Sequence, residues 1–154
     1  MLEAARREPS RLFIAIDPVA EAMAASANRA RREHLDNVLF VVAAVEALPC
    51  ELDGIADRVT VLFPWGSLLA GVTHGDPLVL AALARIARSR ASLDIVINRS
   101  AEQHPVDGLT AAYAAAGIEI CRIERTATAP YTTTWGKRVA FRSDVLHVQA
   151  RIGV

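Results

Sequence analysis

The stretch Val59-Thr60-Val61-Leu62-Phe63-Pro64-Trp65-Gly66-Ser67 joins an apolar, β-branched run to a Pro-Trp pair and a glycine. Four to six such residues bounded by turn formers read as a buried strand, here Arg58 to Phe63, followed by a rigid turn. In an open α/β sheet, ligands bind at the carboxyl ends of the strands. A Pro-Trp pair where a strand runs out puts a large flat ring at that edge. An indole there suits stacking on a planar substrate such as a nucleobase. The competing reading is a core Trp beside an ordinary turn Pro, because Trp packs inside more often than it binds.

Outward from this stretch, strands and helices alternate. Met1 to Arg7 is Ala-rich and charged, so helical, and Glu8-Pro9-Ser10 stops it. Arg11-Leu12-Phe13-Ile14-Ala15-Ile16 reads as a buried strand ending at Asp17-Pro18, an N-cap and N1 pair for a helix that runs to about His34. Val38 to Val42 is the next strand, with Glu46 a few residues beyond it. After the Pro-Trp turn come a short helix over Gly66 to Val72 and a helix capped by Asp76-Pro77 that runs to about Arg88. A strand over Leu93 to Ile97 and a loop over Asn98 to Pro105 follow. A helix over Leu109 to Ala116 is ended by Gly117, and a strand covers Ile118 to Ile123. The region from Val139 to Ile152 alternates like a final strand or hairpin half. This order predicts an α/β fold with a mainly parallel sheet, helices on both faces and an antiparallel addition at one edge.

The 154 residues, 53% apolar and 22% charged, suffice for one domain with its own core, and a single domain over 1–154 is expected. No apolar run reaches the length of a membrane span, and the first residues lack the hydrophobic region of a signal peptide. A cytoplasmic protein with no membrane partner is the expectation. Cys50 and Cys121 are far apart and the four histidines form no close pair, so no metal is expected. A formal net charge of zero argues against binding nucleic acid by bulk charge, though not against a local basic face. Arg29, Arg31 and Arg32 cluster, as do Arg85, Arg88 and Arg90; solvated helix faces account for such groups. The third cluster, Lys137, Arg138 and Arg142, differs because it follows a second Trp, Trp135.

Three consecutive strand ends carry a polar or aromatic group. Asp17 suits the two hydroxyls of a ribose, or serves as a helix cap. Glu46 can accept a hydrogen bond from an adenine amino group, or is a solvated loop carboxylate. Trp65 completes the set. Thr132-Thr133-Thr134-Trp135-Gly136-Lys137-Arg138 places hydroxyls, a ring and cations together. That grouping suits clamping a base while cations meet phosphate, or it is a turn with a half-buried Trp. No Ser/His/Asp, Cys/His or paired-carboxylate arrangement stands out. Methyl transfer to a nitrogen needs none of these. It needs an in-line approach and a lone pair on the acceptor.

Together, Phe13-Ile14-Ala15-Ile16-Asp17-Pro18, the run from Asn37 to Pro49, Phe63-Pro64-Trp65-Gly66-Ser67-Leu68-Leu69 and Trp135-Gly136-Lys137-Arg138 resemble the kanamycin–apramycin resistance family of 16S rRNA methyltransferases. The resemblance implies a Rossmann-like class I fold and transfer of a methyl group from S-adenosylmethionine to N1 of a decoding-site adenine in the 30S subunit, giving aminoglycoside resistance. It implies that Asp17 holds the ribose of S-adenosylmethionine, that Glu46 lies near its adenine, and that Pro64 and Ser67 line the cofactor pocket. Trp65 and Trp135 would sandwich the flipped target adenine, and Lys137 and Arg138 would contact the rRNA backbone. The family commonly has Ser two residues before the second Trp; Thr133 keeps the hydroxyl there. The family also begins with a strand and a Gly-rich turn, and Met1 aligns inside the helix that follows them. The expectation is therefore a sheet lacking its first strand and Gly-rich loop, with impaired transfer. The alternative is a non-catalytic remnant or RNA-binding module of the same fold.

Overall fold

The computed structural model describes residues 1–98, 109–126 and 145–153. The chain falls into two compact units, Met1–Leu48 and Pro49–Val154.

The first unit is a βαβ unit preceded by a short helix. Helix α1 (Leu2–Arg7) leads to β1 (Phe13–Asp17), α2 (Ala20–Arg32) and β2 (Val38–Val42), and a single 3-10 turn covers Val45–Ala47. β1 and β2 are parallel, in register from Phe13 opposite Val38 to Asp17 opposite Val42. The two strands therefore end side by side. Six residues are too few to hold a helix in isolation, and α1 is fastened from outside. The Asn37 side-chain amide donates to the carbonyls of Ala5, Glu8 and Arg11 at 3.0, 3.2 and 2.9 Å. Arg6 of α1 and Arg29 of α2 both bond the Glu33 carboxylate at the end of α2. These two guanidiniums, Arg29 foremost, hold the Glu33 carboxyl below the usual carboxylate range. The Asp17-Pro18 pair does not open α2 as the sequence predicts. The helix starts at Ala20 with Val19 as its N-cap, and Asp17 ends the strand.

The second unit contains β3 (Ala56–Leu62), α3 (Gly66–His74), α4 (Pro77–Ile86), β4 (Ala87–Asn98), α5 (Thr110–Ala115), β5 (Ile118–Thr126) and β6 (Val145–Ile152). Its sheet order is β3-β4-β6-β5. β3 and β4 run parallel, while β6 lies antiparallel between β4 and β5. The β6–β5 pair is the predicted antiparallel addition at one edge of the sheet, with β6 inserted beside β4 and β5 forming the rim.

The core of this sheet is continuous on both faces of β4, which explains the unbroken apolar run Ile95-Val96-Ile97. Leu93, Ile95 and Ile97 stand opposite Ala150, Val148 and Leu146 on one face, all buried. On the other face Asp94 and His147 are buried together, His147 Nε2 lying 2.9 Å from Asp94 Oδ1.

Helices α3 and α4 meet at 97°. Gly75 supplies the left-handed stop of α3 (φ +72°). Asp76 caps α4, its Oδ1 accepting the N–H groups of Leu78 and Val79 at 2.8 and 3.2 Å, with Pro77 as first helical residue. The sharp crossing needs a bare backbone at Gly71, where a Cβ would come within 2.6 Å of the Val79 side chain. Leu80, Leu83 and Ile86 of α4 are buried. Tyr113 of α5 is buried, and its hydroxyl donates to the Val72 carbonyl at 2.7 Å. Among the described residues, no single helix is long and apolar enough to cross a membrane.

Candidate functional site

Each unit places its candidate residues at the carboxyl edge of a parallel strand pair. In the first unit Asp17 is the last residue of β1 and is half-buried. Its Oδ1 accepts the Val19 N–H at 2.8 Å, which fixes the carboxylate over the turn after the strand. Among the described residues its second oxygen has no partner, so one acceptor is left for a hydroxyl. Its backbone carbonyl takes the Ala43 N–H at 3.3 Å, tying the β1 end to the segment after β2. Glu46 lies in the 3-10 turn four residues past β2 and is exposed. Asp17 and Glu46 thus share one edge of the β1–β2 pair.

In the second unit the turn after β3 is built against backbone preference. Phe63 has φ +51°, in the left-handed region, where a bulky residue is rare and costs about 1–2 kcal/mol. Its position before Pro64 disfavours that geometry further, since pre-proline residues are pushed toward extended backbone. The conformation is held from two sides. The Phe63 N–H donates to the Val96 carbonyl at 2.7 Å. The ring is buried with Val96 and Val145, and Leu62 packs against the group. Pro64 is buried as well. The next residue emerges: Trp65 is extended, serves as N-cap of α3 and is 74% exposed. That exposure disposes of the core-Trp reading. Gly66 follows at φ +59° with open space around its α-carbon, and Ser67, exposed, is the second residue of α3. A large apolar ring, a hydroxyl and the free N–H groups of the first helical turn are therefore presented together.

Thr133, Trp135, Lys137 and Arg138 lie outside the described residues. Of the other basic clusters, Arg29 is used by Glu33, and Arg85 and Arg88 pair with Asp53 and Asp57. Among the described residues no group of three or more His, Cys, Asp or Glu side chains is arranged to hold a metal ion.

Sequence reasoning missed the buried Asp94–His147 pair and the left-handed Phe63. The first had a signal, since Asp94 and His147 each interrupt an apolar strand run. The second had none, because an aromatic residue before proline reads as extended.

A family model for NpmA, 16S rRNA (adenine(1408)-N(1))-methyltransferase, matches residues 1–154. The chain belongs to the 16S rRNA (adenine(1408)-N(1))-methyltransferase family. A curated member from Streptoalloteichus hindustanus is 32% identical over 171 residues, covering 97% of this chain and 79% of that protein. Among solved members, the enzyme from Catenulisporales acidiphilia, in a Trp-to-Ala variant with cosubstrate SAM, superposes with a TM-score of 0.83. It has 30% identity and covers 97% of this chain and 79% of its own. The aminoglycoside resistance methyltransferase NpmB1 gives a TM-score of 0.80 at 32% identity, covering 98% of this chain and 80% of its own. Family membership accounts for the class I α/β order of elements.

Proposed function

We propose that this chain is an S-adenosylmethionine-dependent methyltransferase acting on N1 of the decoding-site adenine of 16S rRNA within the 30S subunit, in the cytoplasm, with aminoglycoside resistance as the consequence. In this reading both units belong to one methyltransferase domain. The observation that carries the proposal is Trp65, a large ring held out in solvent by a strained, buried turn at the end of β3, in a chain matched along its length by the family model.

The donor set fits the cosubstrate. Asp17 keeps a carboxylate oxygen for a ribose hydroxyl, Glu46 is exposed at the same strand edge and can accept from an adenine amino group, and Pro64 and Ser67 adjoin the Trp65 turn. S-adenosylmethionine, when bound, supplies an electrophilic methyl group on a sulfonium. The work left to the protein is positioning and desolvation. Trp65 and Trp135 take the flipped adenine between two rings, and Thr133 keeps the hydroxyl that the family carries two residues before the second Trp. Stacking of about 1–3 kcal/mol per ring offsets an unstacking cost of a few kcal/mol. Lys137 and Arg138 meet rRNA phosphates, fixing register without reading sequence. The adenine N1 lone pair needs no general base, which agrees with the lack of any triad or carboxylate pair in the sequence.

The test is transfer of label from methyl-labelled S-adenosylmethionine to purified 30S subunits, with the methylated base located by primer extension. Label at a single decoding-site adenine is expected. Salt-dependent binding to the 30S subunit with no label and no cosubstrate dependence would overturn methyl transfer in favour of an RNA-binding module.

A further inference from the structure

We propose that Phe63 is a positioning residue for Trp65: its buried ring locks a left-handed backbone that fixes the direction in which the indole leaves the turn. Three observations carry this. Phe63 is a bulky residue at φ +51° directly before a proline, a geometry that a free chain leaves. Its ring is 8% exposed and packs with Val96 and Val145, each 0% exposed, so the anchor stands on the ends of two interior strands, β4 and β6. Trp65, two residues later, is 74% exposed and is not held by core packing of its own. Its orientation is therefore set by the backbone that carries it, and that backbone is set by Phe63. Strain kept at such a place persists only where the surroundings over-determine it. Here the surroundings are the Val96 carbonyl on the Phe63 N–H and the apolar cluster on its ring.

The consequence for turnover rests on the function proposed above; the consequence for the indole does not. The experiment compares Phe63→Leu with Phe63→Ile. The two side chains are isomers of equal apolar bulk. Leu, unbranched at Cβ, tolerates φ near +51° as Phe does, whereas a β-branched residue there is a genuine outlier. Time-resolved anisotropy and acrylamide quenching of Trp65 are read in a Trp135→Phe background, and 30S methylation is read with Trp135 intact. Phe63→Leu should keep wild-type indole signals and turnover. Phe63→Ile should change both indole signals and lower kcat by about tenfold to a hundredfold, the scale of a misplacement near 1 Å, with KM for S-adenosylmethionine within about twofold. If Leu and Ile variants of matched stability behave alike, Phe63 merely fills space and the proposal is overturned. Should Phe63→Ile fail to fold, Phe63→Gly decides. It accepts the backbone angle but lacks the anchor, so a faster local rotation of Trp65 is expected and wild-type anisotropy overturns the proposal. Indole changes as described in a protein with no methylation at all would sink the function and leave the positioning role standing.

Discussion

Removing the Tyr113 hydroxyl tests how α3, the helix that starts beside Trp65, is held at its far end. Val72 is near the end of α3, so its carbonyl is among the last four that have no obligatory partner inside the helix. The N–H that could have reached it, that of Asp76, bonds the Gly71 carbonyl instead at 2.9 Å. The Tyr113 hydroxyl takes the vacant place at 2.7 Å in a fully buried setting. Tyr113→Phe keeps the ring and leaves no cavity, so only the hydrogen bond and its orphaned carbonyl enter the cost. A neutral bond is worth roughly 1 kcal/mol net and an unsatisfied buried carbonyl roughly 1–3, so a loss of about 1–2 kcal/mol is expected. Urea unfolding followed by circular dichroism should show a lower midpoint with unchanged slope. A change below about 0.5 kcal/mol, within the scatter of surface substitutions, would refute the reasoning. A pH series adds a second reading. Burial pushes the Tyr113 phenol above its ordinary value. Above pH about 10 the unfolded chain releases this proton while the folded protein keeps it, so stability falls as pH rises through that range. Tyr113→Phe should flatten that alkaline decline.

Three further outcomes are expected. Trp65→Ala should cut 30S methylation by at least about tenfold, the loss of one stacked ring, while S-adenosylmethionine affinity measured by calorimetry stays within about twofold; equal turnover would remove Trp65 from the adenine clamp. Gly71→Ala should destabilise the protein by about 1–3 kcal/mol in thermal unfolding, because its new Cβ would meet Val79, despite a helix-propensity gain of up to about 1 kcal/mol; a stabilised variant would show that α3 and α4 can separate at no cost. Asp76→Ala should cost about 1 kcal/mol through two unanswered N–H groups at the start of α4, and Asp76→Asn should restore most of it.

Periodicity and punctuation make most of the architecture legible. Val38 to Val42 coincides with β2, Asp76-Pro77 opens α4, and Gly117 follows α5 at φ +74°. The failures have local causes. Arg88-Ser89-Arg90 reads as a solvated helix end, yet α4 stops at Ile86 and β4 begins at Ala87. The chain is held there by bonds from the Gly54 and Ile55 N–H groups to the Arg85 and Ile86 carbonyls. These are tertiary partners that no local pattern announces. Asp17 is misread as a helix cap because an Asx turn and an N-cap use the same residue types one or two positions apart. At the candidate site, the residue types at the strand ends are visible in sequence. The exposure of Trp65 and the backbone that sets it are products of packing around Phe63, and sequence spacing carries no trace of them.

The interior place of β6 has a consequence for how the second unit is made. β6 is the only described strand that joins β5 to the rest of its sheet, and it is translated after both β4 and β5. On the ribosome, β5 must wait without a ladder partner while the residues up to Ile152 are added, a delay of seconds at ordinary elongation rates of about 5–20 residues per second. β5 therefore gains its ladder only after the last described strand has been made, and this end of the sheet closes in one late step.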